Sequence, residues 1–95
     1  MNPEELYDMA LNAWGRDAQL FMVLEELSEL SKAVCKMVRP GQSNKDELVD
    51  CIADAEVMMA QLKRMFNINE SSIKEIVDAK LHRLEFLLEG ENGSK

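Results

Sequence analysis

The chain contains few of the residues that interrupt regular secondary structure. Only four of its 95 residues are glycine and two are proline, so tight turns are few and a sheet-rich fold is disfavoured. Aromatic residues make up 5% of the sequence, which instead contains seven methionines and many Leu, Ala, Glu and Lys residues. These are good helix formers. The composition therefore predicts an all-α protein, and the length predicts a single domain over residues 1–95.

Other missing features exclude several functional classes. The sequence has one histidine, His82, and no Gly-rich phosphate loop, so no site can be built from several histidines. No apolar run approaches the roughly 20 residues that span a bilayer, and the N-terminus shows neither a basic nor an apolar signal segment. Cys35 and Cys51 lack metal-ligand spacing. We therefore expect two free thiols in a cytoplasmic protein that has no membrane partner.

Positively charged residues are scarce. Eleven basic residues face 18 acidic ones, which gives a formal net charge of −7. This balance disfavours a nucleic acid polymer as partner, because such binding rests on neutralising phosphates with Lys and Arg. It remains compatible with a small anion that arrives with a metal ion. The placement of the carboxylates therefore matters more than their number.

Apolar periodicity and capping residues predict four amphipathic helices. Their expected bounds are Pro3 to about Trp14, about Asp17 to Val38, Ser43 or Asn44 to Phe66, and Ser71 or Ser72 to about Leu88. Gly15 either caps the first helix or separates two helices, Pro40 ends the second, and residues 89–95 are expected to fray. Short loops between long helices favour an antiparallel four-helix bundle. Since so short a chain leaves apolar surface to cover, we expect association to complete the bundle, as a homodimer or homotetramer.

Acidic residues gather on one side of each of the two central helices. Projection at about 100° per residue places Glu25, Glu26 and Glu29 within an arc of roughly 100°. It places Glu47, Asp50 and Asp54 within about 60°, with Gln61 on the same line. Like charges at these spacings repel, and Mg²⁺ or Mn²⁺ with oxygen ligands is a suitable counter-charge. The alternative is an ordinary solvated face on a Glu-rich helix.

Three further residues are candidates for binding a substrate. Lys80 falls within the apolar stripe of the fourth helix, and Arg83 lies at its edge. They either extend to solvent or point into the bundle, where they would bind phosphate oxygens. Trp14 is either a residue of the core or of a helix junction, or a surface on which a base stacks.

These residues resemble the MazG-type all-α nucleoside triphosphate pyrophosphohydrolases. That family carries Glu-Glu-x-x-Glu on one helix and Glu-x-x-Asp on the next, and residues 25–29 match the first motif in full. The stretches 14–20 and 52–62 resemble the small phage-type members. Lys80 and Arg83 resemble the Lys-x-x-Arg of the family's last helix. The similarity spans about residues 6–88.

The second motif departs from the family pattern at one ligand position. The family usually has Glu-Glu-Ile-Ala-Asp there, whereas residues 50–54 read Asp-Cys-Ile-Ala-Asp. Cys51 therefore occupies a usual ligand position, although sulfur is a poor ligand for Mg²⁺. Asp54 keeps the final ligand in this register, and Asp50 is expected to substitute for the missing one with help from Glu47. The register Glu47–Asp50 is the alternative match.

The resemblance implies hydrolysis of a nucleoside triphosphate, with a deoxy or modified nucleotide expected, to a monophosphate and pyrophosphate. It implies Mg²⁺, or Mn²⁺, held by Glu26, Glu29, Asp50 and Asp54. Glu25 is the candidate base, and Lys80, Arg83 and Trp14 are the candidate substrate contacts. The alternative is a catalytically impaired bundle that binds nucleotide or metal, or acts as a structural regulator.

Overall fold

A computed structural model of the chain describes residues 1–93, which form four α-helices and no strand. The helices are α1 (Pro3–Trp14), α2 (Arg16–Val38), α3 (Lys45–Met65) and α4 (Glu70–Gly93). This confirms the prediction of an all-α protein with four helices. None of these helices combines the length and the apolar character needed to cross a bilayer.

Asparagine side chains cap the N-termini of three helices. The side chains of Asn2 and Asn44 accept hydrogen bonds from the backbone N–H groups of Glu5 and Glu47, at 2.9 and 3.0 Å. Each bond satisfies one of the N–H groups that a helix leaves unpaired in its first turn. Asn69 does the same for α4 by accepting from the backbone of Ser71 at 3.0 Å. The predicted starts of the first helix at Pro3 and of the third at Ser43 or Asn44 agree with the structure to within two residues, whereas α4 begins slightly before the predicted serines.

Two glycines with positive φ lie between helices. Gly15 (φ 87°) separates α1 from α2, and its N–H donates to the carbonyl of Leu11 at 2.9 Å. Gly41 (φ 73°) lies in the loop that follows α2. A side chain is disfavoured in this backbone region. The sequence left Gly15 open as a cap or a break, and it serves as both.

The small core lies between α2 and α3. Val23 and Ala33 of α2 are buried with Cys51, Ala55 and Met58 of α3. Lys36 near the end of α2 pairs with Glu47 near the start of α3 at 3.0 Å. At the other end, the guanidinium of Arg16 lies 4.8 Å from the ring centroid of Phe66. The core between α2 and α3 therefore has a charged contact near each of its ends.

The shortest helix, α1, is joined to α3 by an ion pair. Nε and Nη2 of Arg64 donate to the two oxygens of the Asp8 carboxylate, at 3.0 and 2.9 Å. These hydrogen bonds lower the pKa of Asp8. Because α1 buries no residue, this exposed bidentate pair supplements a modest apolar contact with α2 and α3.

The last helix, α4, packs against none of the other three within the described chain. An ion pair between Lys63 and Glu70, 2.8 Å long, lies at its first turn, and beyond it α4 extends away. The radius of gyration is consequently 17.7 Å, whereas a compact chain of this length would have about 12 Å. Of the two alternatives for Lys80 and Arg83, a single chain shows the one in which both side chains are exposed.

The end of α4 also differs from its predicted position. The helix continues past Leu88 to Gly93, although residues from 89 onward were expected to fray. Adding a residue to an existing helix costs far less than starting one, so poor helix formers are tolerated at its end. Residues 94 and 95 lie outside the described part of the chain.

Candidate functional site

The six predicted acidic residues of α2 and α3 form one surface, which we call the acidic face. It consists of Glu25, Glu26, Glu29, Glu47, Asp50 and Asp54. The two helices meet here because their buried residues alternate with the carboxylates at helical spacing. Glu26 and Glu47 are half-buried, and the other four are exposed. The acidic face thus borders the core instead of lying opposite to it.

At the centre of the acidic face, the side chain of Glu26 on α2 interacts with that of Asp54 on α3. Partial burial, the charge of Asp54 and a hydrogen bond between the two carboxyl groups raise the pKa of Glu26. The neighbouring charges of Glu25 and Glu29 act in the same direction. A carboxyl group with a raised pKa binds its proton more tightly in the folded protein, because ionisation brings it against other negative charges. The two predicted clusters therefore interact directly.

Cys51 lies beneath the acidic face and is buried, with 9% of its surface exposed. Burial raises the pKa of its thiol, and the charges of Glu47, Asp50, Asp54 and Glu29 raise it further. Four carboxylates from two helices thus surround one side chain. Cys51 is a neutral thiol at the position where the resemblance places a carboxylate ligand. Cys35 is free and exposed, so the two cysteines are unpaired, as predicted.

One carboxylate of the acidic face already has a counter-charge. The Lys36 ammonium donates to both oxygens of Glu47, at 3.0 and 3.3 Å. Sequence reasoning missed this pair and expected Glu47 to help Asp50 as a ligand. The signal was available, because Lys36 precedes the loop between the helices and Glu47 follows it closely. Asp50 and Asp54 have no such partner among the described hydrogen bonds.

Two buried glutamines lie on the same sides of α2 and α3 as the acidic face, two helical turns away from it. Gln19 and Gln61 are 2% and 8% exposed, and each lies two helical turns from Glu26 or Asp54, about 10 Å along its helix. The amide nitrogen of Gln19 donates only to the sulfur of Met22, at 3.8 Å. The Gln61 carbonyl oxygen has no partner in the described structure. A buried polar atom without a partner is costly, so Gln61 weakens the packing between α2 and α3.

The three predicted substrate contacts lie apart from the acidic face. Trp14 is 63% exposed at the end of α1, which contradicts its interpretation as a core residue. Lys80 and Arg83 are exposed on α4. The predicted metal ligands and the candidate base thus lie on α2 and α3, whereas the cationic residues lie on α4, which does not pack against them.

Two clefts of the described chain are lined by residues outside the acidic face. An open cleft of about 410 Å³ separates α1 from the end of α3, and its lining includes Tyr7, Lys63 and Arg64. Both of these cations are engaged in ion pairs. A second depression, of about 340 Å³, follows α4 beside His82 and Arg83.

The donors of the acidic face suit a hard divalent cation, because all of them are carboxylate oxygens. Among the side chains that the structure describes, no three His, Cys, Asp or Glu residues are grouped closely enough to hold a metal ion. Glu25, Glu29, Asp50 and Asp54 are exposed and free to change rotamer. The residues therefore fit a cation in chemistry, and their convergence requires rotation of these side chains.

The raised pKa of Glu26 predicts how stability depends on pH. The folded state binds this proton more tightly than the unfolded chain, so the free energy of unfolding should increase as pH falls from about 7 toward about 5. The increase is complete below the ordinary pKa of glutamate. Thermal melts without divalent cations, at several pH values, would measure it. Glu26→Gln should flatten this dependence, and an equal slope in that variant would contradict the assignment to Glu26.

Comparison with known proteins leaves the family open: no protein-family model matches the chain, and neither curated proteins nor solved structures include a significant match. The resemblance to the MazG-type enzymes thus stays a prediction based on the motifs.

Proposed function

We propose that the chain is a Mg²⁺-dependent nucleoside triphosphate pyrophosphohydrolase. It would convert a nucleoside triphosphate and water to the monophosphate and pyrophosphate. The proposal rests on the interaction between Glu26 and Asp54 at the centre of the acidic face, which raises the pKa of Glu26. Carboxylates pressed together across two helices cost stability unless a cation neutralises them. The same residues belong to the motifs that resemble the family.

Each carboxylate would have a distinct role. Glu26, Glu29 and Asp54, with Asp50, would hold Mg²⁺ or Mn²⁺ against the phosphates. When bound, the metal supplies a Lewis acid and lowers the pKa of a ligated water. Glu25 would orient the attacking water and accept its proton. The oxygen of that water forms a bond to the α-phosphorus while the bond from phosphorus to the pyrophosphate oxygen breaks.

The cationic contacts would come from α4. Lys80 and Arg83 would neutralise the charge that moves onto pyrophosphate as it leaves, and Trp14 would stack on the base. Because α4 does not pack against the α2 and α3 of its own chain, the roles of Lys80 and Arg83 require a second chain. A homodimer or homotetramer is therefore part of the proposal. We expect a deoxy or modified nucleotide as substrate and the cytoplasm as the location.

A second candidate is a protein of the same architecture that binds nucleotide or metal without hydrolysis. It is favoured by Cys51, which supplies no oxygen ligand, and by Lys36, which occupies Glu47. Such a protein would need only part of the ligand set. The helices and the acidic face would be the same in both cases.

A screen of common and deoxy triphosphates distinguishes these functions. Pyrophosphate release would be measured with Mg²⁺, with Mn²⁺ and without divalent cations, and melting temperatures would be recorded in the same mixtures. An enzyme releases pyrophosphate only with the metal. A binding protein shows a higher melting temperature without release, because a ligand that binds only the folded state stabilises it. A structural bundle shows neither effect, and this result would reject the proposal.

A further inference from the structure

Two buried glutamine side chains lack the hydrogen bonds that a buried amide needs. Gln19 and Gln61 are 2% and 8% exposed. The described hydrogen bond from the amide nitrogen of Gln19 goes to the sulfur of Met22, at 3.8 Å, and sulfur is a weak acceptor. The side-chain oxygen of Gln61 has no partner in the described structure. One donor and one acceptor in the core are therefore available to a polar ligand.

Both glutamines lie near the end of α2 and α3 that adjoins α1. Gln19 follows Arg16 by three residues and Gln61 precedes Phe66 by five. The guanidinium of Arg16 lies 4.8 Å from the centroid of the Phe66 ring. Among the described helices, α2 packs against α1 and α3, and α3 packs against α1 and α2. Both side chains are therefore buried where these three helices meet.

Of the three helices, α1 is the one that is most easily displaced. It buries no residue, and the two side chains of the Arg64–Asp8 ion pair that joins it to α3 are about half exposed. It is followed by Gly15, which has a positive φ of 87° and open space around it. A helix with few buried contacts opens at a low cost in free energy, and a glycine accommodates the change in backbone angles. The helix α1 thus has the properties of a lid that turns about Gly15.

The position of the glutamines relative to the acidic face suits a nucleotide. Gln19 precedes Glu26 by seven residues and Gln61 follows Asp54 by seven, which is two helical turns or about 10 Å. Glu26 and Asp54 interact at the centre of the proposed metal site. The ribose and the base of a nucleotide extend over a comparable length from its first phosphate. Trp14, the candidate stacking residue, directly precedes Gly15.

We infer that Gln19 and Gln61 bind the edge of the nucleotide base, and that α1 turns about Gly15 to admit it. This inference rests on the proposed function. The oxygen of Gln61 accepts a hydrogen bond from an N–H group of the base, and the amide nitrogen of Gln19 donates to a neighbouring nitrogen or oxygen. A ligand without these groups leaves both amides unpaired in a buried site, which penalises its binding. The substrate class is therefore a nucleotide whose base carries a donor next to an acceptor on one free edge.

Gln19→Met and Gln61→Met test this inference, because methionine is close to glutamine in size and has no amide. The probes are the α,β-imido deoxynucleoside triphosphates, which resist cleavage between the α and β phosphorus atoms, and inorganic tripolyphosphate, which has no base. Calorimetry with Mg²⁺ would measure their dissociation constants. Each variant should bind the preferred imido nucleotide about 10-fold or more weakly and tripolyphosphate as tightly as the unaltered protein. The matched control is Gln42→Met in the exposed loop after α2, which should bind both probes normally.

The possible results separate this inference from the proposed function. If the unaltered protein binds both probes and the two glutamine variants keep its nucleotide affinity, the inference is overturned and the proposed function stands. If the unaltered protein binds neither probe, both are overturned. Melting temperatures without ligand show whether the variants fold, and Gln61→Met should raise the melting temperature because it removes an unpaired buried atom. A purely structural role would change this temperature and leave the nucleotide affinity unchanged.

Arg64→Ala tests the movement of α1. Loss of the ion pair with Asp8 releases α1 from α3, so the association rate of the imido nucleotide should increase about 2- to 5-fold. The association rate of tripolyphosphate should stay the same, because it does not need the glutamines. Stopped-flow measurements of the Trp14 fluorescence would follow both reactions. An unchanged rate for the nucleotide would mean that α1 does not act as a lid.

Discussion

Asp54→Ala and Glu29→Ala should each abolish Mg²⁺-dependent release of pyrophosphate while the helical circular dichroism spectrum stays unchanged. Asp54 is the carboxylate that meets Glu26 across the two helices, and Glu29 lies beside Cys51 on the same face. Loss of one charged group that stabilises a phosphoryl-transfer transition state reduces turnover by about 100-fold or more. Both side chains are exposed, so their removal leaves no cavity in the core.

The matched control is Glu56→Ala. Glu56 is an exposed carboxylate of α3 that lies outside the acidic face, so its removal changes the net charge equally. Its turnover should equal that of the unaltered protein. Removing a carboxylate from the acidic face should also raise the melting temperature without metal, because it relieves repulsion. Full turnover in both Asp54→Ala and Glu29→Ala would reject the assignment of the site.

Cys51→Glu should lower the stability of the metal-free protein and raise its affinity for Mg²⁺. A carboxylate at this buried position, among the charges of Glu47, Asp50 and Asp54, should lower the free energy of unfolding by about 2–3 kcal/mol without metal. It also supplies the hard oxygen ligand that the thiol lacks. We therefore expect Mg²⁺ to recover most of the loss and to bind at least about 10-fold more tightly than in the unaltered protein.

Cys51→Gln is the control for this substitution. It has nearly the same volume as glutamate but carries no charge, so any loss due to size alone appears in both variants. The measurement is the melting temperature over a Mg²⁺ titration, with Ca²⁺ as a larger cation for comparison. If Mg²⁺ stabilises Cys51→Glu and Cys51→Gln equally, the acidic face is not a magnesium site at this position.

Local features of the fold were readable from the sequence. Asn2 and Asn44 have short acceptor side chains that can satisfy first-turn N–H groups, and the structure uses both. Pro40 restricts the backbone of Arg39 to the extended conformation that ends α2. Helical periodicity also grouped the carboxylates of α2 and of α3, and Glu26 and Asp54 from the two groups lie close enough to interact. Each of these features depends on residues that lie close together in the sequence.

The neighbours of each helix were not readable in the same way. Periodicity identifies the apolar stripe of α4 but does not specify which surface covers it, and within one chain nothing does. The sequence for this reason left open whether Lys80 and Arg83 extend to solvent or point into the bundle, and both are exposed in one chain. Gln19 and Gln61 were similarly hard to predict as buried residues, because the sequence does not indicate how closely the polar edges of α2 and α3 approach.

The way in which α2 and α3 pack has a consequence for the order of folding. Their contacts join consecutive helices through one short loop, so contact order is low and this hairpin should form within microseconds to milliseconds. Its formation needs no encounter between molecules and is therefore independent of protein concentration. The acidic face is thus assembled in the unimolecular phase of folding, and the electrostatic repulsion across it acts on the earliest folded species.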